Sequence, residues 1–182
     1  MSHYDDADII ATLQNSGDAD EAFKLIVKQY SKGLYYHIRR MVIDHEDAND
    51  LLQDTYLKVF ENIRNFRFES SIYTWIYRIA TNITLNFLSQ KKRKYIFSID
   101  NYSEKLISKL ESDPYFTGDE IQKIFQKAIL KLPPKQQLVF NMKYFENMKY
   151  EDMSEILDTS VGALKASYHH AVTKIEKYIN QN

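Results

Sequence analysis

Thr74, Arg78, Asn82 and Asn86 recur every four residues within "SIYTWIYRIATNITLNF" (71–87), a spacing that aligns them along one side of an α-helix. Asparagine is a poor helix former, but its amide both donates and accepts hydrogen bonds, and an arginine fork suits phosphate. Tyr73, Trp75 and Tyr77 crowd the same segment with rings. Amides, a cation and rings on the outside of a helix are more than a solvated face needs, and point to a partner for that face. Lys91, Lys92, Arg93 and Lys94 follow as a basic run fit for phosphates. A different chemistry lies upstream, where Asp50, Gln53 and Asp54 stand at i, i+3 and i+4 and so share one acidic patch, with Asp47 a turn earlier. A third set, Lys165, His169, His170 and Lys174, lies on one C-terminal amphipathic segment.

Helices must position all three sets. In 71–87, Ile72, Ile76, Ile79, Ile83 and Phe87 form the expected buried stripe, and the lone Trp75 is expected to be core. "DHEDANDLLQDTYLKVFENI" opens with Asp44 as N-cap and Asp47 at the third helical position, as in a capping box. Its inward stripe reads Ala48, Leu52, Tyr56, Val59 and Ile63. Ala22–Arg40 shows the same period through Phe23, Ile26, Val27, Tyr30 and Leu34. These pieces predict a three- or four-helix bundle over 1–94. Residues 95–118 lose the period and read as a flexible linker, with a short helix at Ser103–Leu110. A second unit, 119–182, starts at a capping box of Thr117 and Glu120 and continues through "LPPKQQLVFNMKYF", with a proline in its first turn. "YEDMSEILD", the turn "TSV" and "VGALKASYHHAVTKIEKYI" then spell a helix-turn-helix, whose second helix enters the DNA major groove. The fold class is therefore all-α.

Composition agrees. The 182 residues include 44% hydrophobic side chains, enough for a core, but only 4 Gly and 3 Pro, which leaves little turn chemistry for hairpins. The absence of Cys excludes disulfides and thiolate metal sites and suits a reducing cytosol, so a cytoplasmic location is expected. No apolar run is long enough for a membrane span, and no membrane insertion is expected. The net charge of −1 conceals segregation. Asp44–Glu61 is acidic apart from Lys58, whereas Asn62–Lys94 is basic apart from Glu69, as expected of surfaces with two different partners. Asp47, Asp50 and Asp54, with His45 nearby, could in principle hold Mg²⁺, but a catalytic site needs groups converging from several elements. No catalytic residue, metal or cofactor is expected.

Taken in order, "HEDANDLLQDTYLKVFENI", "NFRFESSIYTWIYRIATNITLNFLSQKKRK" and "LPPKQQLVFNMKYFENMKYEDMSEILDTSVGALKASYHHAVTKI" resemble the successive conserved regions of an extracytoplasmic-function (ECF) sigma factor of the sigma-70 family. The resemblance implies that 1–94 binds core RNA polymerase and recognises and melts the minus-ten promoter element. It implies that 119–182 recognises the minus-35 element, with the linker passing near the active-site and RNA-exit path. It carries Asp47, Asp50, Leu51, Gln53 and Asp54 over to contact with the basic coiled coil of the polymerase beta-prime clamp. The beta flap is implied as a further polymerase contact. Phe66, Ser70, Tyr73, Thr74, Arg78, Asn82, Asn86, Lys91, Lys92 and Arg93 carry over to the minus-ten strand. Phe66, Phe68 and Tyr73 are the stacking candidates in and beside a loop (65–71) that captures a flipped base.

Ser160, Lys165, Ser167, Tyr168, His169, His170 and Lys174 carry over to minus-35 DNA. Here the sequence departs from the family, whose usual run after the turn is Gly-Thr-Val-Lys/Arg-Ser-Arg. Gly162-Ala163-Leu164-Lys165-Ala166-Ser167 has no arginine at its end, so weaker phosphate anchoring is expected. The resemblance also implies control by an anti-sigma factor. No long C-terminal extension follows the helix-turn-helix, so no added sensory domain is expected. The alternative is a stand-alone helix-turn-helix regulator, which would explain the C-terminal half but not the acidic patch or the amide-bearing helix.

Overall fold

A capped acidic helix and a long amide-bearing helix lie side by side at the centre of the N-terminal unit. The computed structural model of the protein describes residues 6–16, 18–94, 99–112 and 120–181. Its α-helices are α1 (Ala7–Ala11), α2 (Ala19–Val42), α3 (His45–Asn62), α4 (Ile72–Lys94), α5 (Ile99–Glu111), α6 (Glu120–Leu130), α7 (Pro134–Tyr144), α8 (Tyr150–Leu157) and α9 (Val161–Ile179). No strand occurs among the described residues. A π-helical turn (Thr12–Ser16) follows α1, and a 3₁₀ turn (Ile63–Asn65) follows α3.

The helix starts obey local chemistry. Asp18 and Asp44 cap α2 and α3 by accepting from the backbone N–H of Glu21 and Asp47, each at 3.0 Å. The Thr117 capping box lies outside the described residues. Pro134 opens α7, where its missing N–H costs nothing. Asp158 ends α8 in the left-handed conformation (φ 48°), and Ser160 then caps α9 by accepting from Ala163 N–H at 3.3 Å. That pair of caps is the turn of the helix-turn-helix.

α2, α3 and α4 build the N-terminal bundle around Ile26, Tyr30, Leu34, Val59, Ile72 and Ile76, all nearly inaccessible. The buried stripes sit slightly off the expected lines. On α3 they are Ala48, Leu51, Thr55 and Val59, with Leu52 and Tyr56 only half-buried. On α4 they include Tyr77, Ala80, Thr81, Thr84 and Leu88, while Ile79, Ile83 and Phe87 are half-buried. The reason is a second neighbour: α4 packs against α2 and α3 on one side and against α8 on another. Trp75 packs on the core as expected, its ring 5.0 Å from that of Phe66.

The C-terminal unit is not sealed from this core. One hydrophobic cluster runs from α1, α2, α3 and α4 into Leu138, Val139 and Met142 of α7, Met148, Met153 and Ile156 of α8 and its approach, and Leu164 of α9. α7 makes this continuity possible because Gln137 to Met142 are all buried, leaving this stretch no solvent face. Phe140 turns the other way, into a smaller cluster with Ala128, Ile129, Ala171 and Ile175. Between the units α5 is longer than the short helix expected, and its Leu106 and Leu110 pack with Ile43 and Leu130.

α5 is also pinned electrostatically. The Lys109 ammonium donates to the Asp44 carboxylate and lies 3.8 Å from Asp47. Burial pushes the Asp44 carboxyl up. The bonds from Lys109 and from the backbone N–H of Asp47 and Glu46 outweigh this and hold it below the usual carboxylate range. A folded pKa below the unfolded value of about 3.9 gives stability that is present at neutral pH and lost as pH falls through the folded pKa. Asp44→Asn keeps the cap but not the charge. Urea unfolding should show it about 1 kcal/mol less stable than the parent at neutral pH, a gap that shrinks steadily below about pH 4.

Candidate nucleic-acid and polymerase interface

The outward face of α3 carries Asp50, Gln53 and Asp54, all exposed, and continues one and two turns further as Leu57 and Phe60. Those two apolar side chains are 63% and 47% exposed, and the Phe60 ring rests on Phe23 at 5.2 Å. Leu57 and Phe60 were missed from sequence. Their signal was the same i, i+3, i+4 spacing that aligned the acids, obscured because apolar residues on a helix are read first as core.

Two expected members of this patch lie elsewhere. Leu51 is 3% exposed and belongs to the bundle core, so it holds α3 in place rather than facing a partner. Asp47, one turn before it on the same inner edge, takes both Lys91 hydrogen bonds at 2.7 and 2.8 Å. His45 is likewise occupied, between the Tyr35 hydroxyl (2.7 Å) and the Asn49 amide (3.1 Å). Among the described residues no three acids, histidines or cysteines cluster as metal ligands.

On α4 the expected outer stripe is real from its second turn. Arg78, Asn82 and Asn86 are exposed, as is Arg93 further on, but Thr74 is 1% exposed. Ser71 explains the inversion. Its hydroxyl accepts from the Thr74 backbone N–H at 3.0 Å and meets the Thr74 hydroxyl at 2.8 Å, which turns that side chain inward. Lys91 is half-buried against Asp47, and its ammonium lies 4.5 Å from the Phe87 ring. The Lys92 side chain lies outside the described residues. Arg78 donates to the backbone carbonyl of Glu155 in α8.

The loop before α4 separates the aromatic candidates. Phe66 is sandwiched by Phe68 (4.9 Å) and Trp75, and Tyr73 is half-buried beside Tyr77 at 4.4 Å. Phe68 is the ring that faces outward, 41% exposed, with a backbone φ of 57° that a bulky residue adopts only under strain. Ser70 beside it is half-buried.

On α9, Lys165, His169, His170 and Lys174 are exposed, and the Lys165 ammonium lies 5.6 Å from the Tyr150 ring. Tyr168 departs from expectation. Its ring stacks on Phe140 at 5.7 Å and 13°, so it anchors α9 to α7. Ser167 is half-buried, Ser160 is the helix cap, and Lys174 donates to Gln136 at 2.8 Å. No described helix is long and apolar enough to cross a membrane.

Known proteins share this order of regions. The family model for Sigma-70 region 2 matches residues 26–94, and that for Sigma-70 region 4 matches 122–175. The ECF RNA polymerase sigma factor SigW of Bacillus subtilis is 30% identical over 171 residues, covering 90% of this chain and 91% of its own. The chain belongs to the ECF RNA polymerase sigma factors. Like its family, this sigma factor directs RNA polymerase to promoters, and a regulator lacking the region 2 unit is not favoured. Two solved structures share the fold at 20% identity. CnrH, in complex with the cytosolic domain of CnrY, gives a TM-score of 0.69 over 97% of this chain and 99% of that one. The sigma factor RpoE of Bartonella quintana, in complex with the anti-sigma factor NepR, gives 0.66 over 88% and 98%.

The geometry separates paired from unpaired acids on α3 of this sigma factor. Among the described residues Asp50 and Asp54 have no ion pair, whereas Asp47 has Lys91. Charge reversal at Asp50 or Asp54 should change stability by less than about 0.5 kcal/mol. Asp47→Arg should cost on the order of 1 kcal/mol or more, read as a shift in the urea midpoint, because it also faces Lys91 and Lys109 with a like charge.

Proposed function

We propose that the exposed α3 face, Asp50, Gln53 and Asp54 together with Leu57 and Phe60, is the surface that docks on the basic coiled coil of the polymerase clamp. The observation that supports it is the alignment of charge and apolar surface on one helix face. Charge would speed and orient docking, while the desolvated leucine and phenylalanine would slow release. Phe68 would stack on a base freed from the minus-ten duplex, and Asn82, Asn86 and Arg78 would meet base edges and phosphates of the same strand. α9, led by Lys165, would read the minus-35 element, with its thin basic surface giving a weak grip by that unit alone. Core polymerase, promoter DNA and an anti-sigma factor are then the partners, the last supported by the complex of the structurally similar RpoE with NepR. On this proposal the protein would act in the cytoplasm and without catalysis of its own.

Purified chain should bind core RNA polymerase tightly, and the double reversal Asp50→Arg, Asp54→Arg should weaken binding by a factor on the order of 100 while leaving the fold intact. Undiminished binding by that variant would remove α3 from the interface. Phe68→Ala should leave polymerase binding unchanged and cut the lifetime of the opened promoter roughly tenfold, the value of one base stack. A permanganate footprint of the unpaired thymines over time reads this directly.

A further inference from the structure

Lys165 is the one charged residue from Val161 to Tyr168, the stretch that opens α9. Gly162, Ala163 and Ala166 share the exposed surface of that stretch with it. In a helix-turn-helix the first turns of the second helix meet base edges, so here a single ammonium carries the polar reading. Lysine by itself is poorly suited to that task. Its charge ends a flexible four-carbon stem, and fixing the stem costs conformational entropy. A carboxylate could hold it, but would neutralise the charge and occupy the N–H donors that a base needs.

An aromatic ring holds it instead. Tyr150 is the first residue of α8 and is half-buried against the hydrophobic core, which fixes its ring. The Lys165 ammonium lies 5.6 Å from the centre of that ring, within the range over which an aromatic face attracts a cation. Burial, and after it the neighbouring Tyr168, push the Tyr150 phenol above its ordinary range. The ring is therefore neutral and attracts lysine through its face rather than as an ion. Among the described residues no carboxylate pairs with Lys165. A second cation shares the ring: Lys143, in the last turn of α7, lies 4.9 Å from its centre. Lys143 also donates to the Met148 carbonyl at 3.1 Å, so it is tied down twice. Lys165 is the cation of the two that is aimed yet keeps its donors for a partner.

We propose that Tyr150 is a positioning residue for minus-35 recognition: its ring holds the Lys165 ammonium at the start of α9, where it meets a guanine in the major groove. The inference rests on the assignment of α9 to the minus-35 element. Guanine is the base indicated because its O6 and N7 stand side by side as two acceptors, and an ammonium can only donate. Ala163 and Ala166 offer methyl groups and no polar side-chain atom, so they leave that choice to Lys165. Tyr150 itself need not touch the base. Its contribution is to reduce the number of places the lysine can be before DNA arrives.

The test measures promoter binding by the full chain with core polymerase, on duplexes in which each minus-35 base pair is varied in turn. The parent should prefer guanine at one position, and Lys165→Ala should flatten that preference roughly tenfold. Tyr150→Leu should flatten the same position about threefold and leave the others unchanged, whereas Tyr150→Phe, which keeps the ring, should behave as the parent. Phenylalanines bearing one, two and three fluorines at position 150 keep the shape while weakening the ring face, and should lower the preference stepwise even if the leucine variant does not fold. A uniform loss at all positions, or a preference untouched by leucine and by fluorination while Lys165→Ala abolishes it, overturns the positioning role. If Lys165→Ala changes no position, the assignment of α9 to minus-35 DNA is what fails, and the contact is judged by NMR of the free chain. The Lys165 ε-methylene protons should then be shifted upfield by the ring in the parent and in Tyr150→Phe, but not in Tyr150→Leu. Absence of that shift in the parent overturns the contact.

Discussion

Burial of α7 on every side between Gln137 and Met142 is the constraint on which the rest of the arrangement depends. A helix with one apolar stripe can complete one core. This helix completes two, sending Leu138, Val139 and Met142 toward the N-terminal bundle and Phe140 toward Tyr168 and α9. Each of those side chains is worth about 1.5–3 kcal/mol when withdrawn from water, so the two family regions are held together by ordinary hydrophobic burial. Polar groups then give the contact its register: Gln137 on the Arg40 carbonyl, Arg78 on the Glu155 carbonyl, and Glu146 between His37 and Arg40.

Much of the site was legible because charge and spacing report directly on helix surfaces. Arg78, Asn82 and Asn86 are exposed on one helix, and Asp50, Gln53 and Asp54 on another, as four-residue periodicity demands. The all-α class followed from the poverty of glycine and proline and the many amphipathic segments. What sequence could not show was which intramolecular partner each polar group has. Thr74 turns inward because Ser71 precedes it as a cap, and Tyr168 turns inward because Phe140, 28 positions earlier, offers a ring to stack on. Leu51 and Asp47 carry the right types for a docking surface but sit on the edge of α3 that faces its neighbours. Leu57 and Phe60 show the reverse error, apolar residues that are surface.

Two cations that the proposed function gives to promoter phosphate already have partners within the folded chain. Arg78 donates to the Glu155 carbonyl, and Lys91 to Asp47. Such pairing neutralises part of the segregated basic and acidic surfaces within a chain of net charge −1. Under the proposed function, phosphate would have to compete with these internal partners.

Both family regions rest on α7, so the free chain is one packed body. Small-angle X-ray scattering of the purified protein tests it most directly. A packed chain of 182 residues should give a radius of gyration of about 16 Å and a single-peaked distance distribution. A markedly larger radius, with a second peak from two separated lobes, would contradict it.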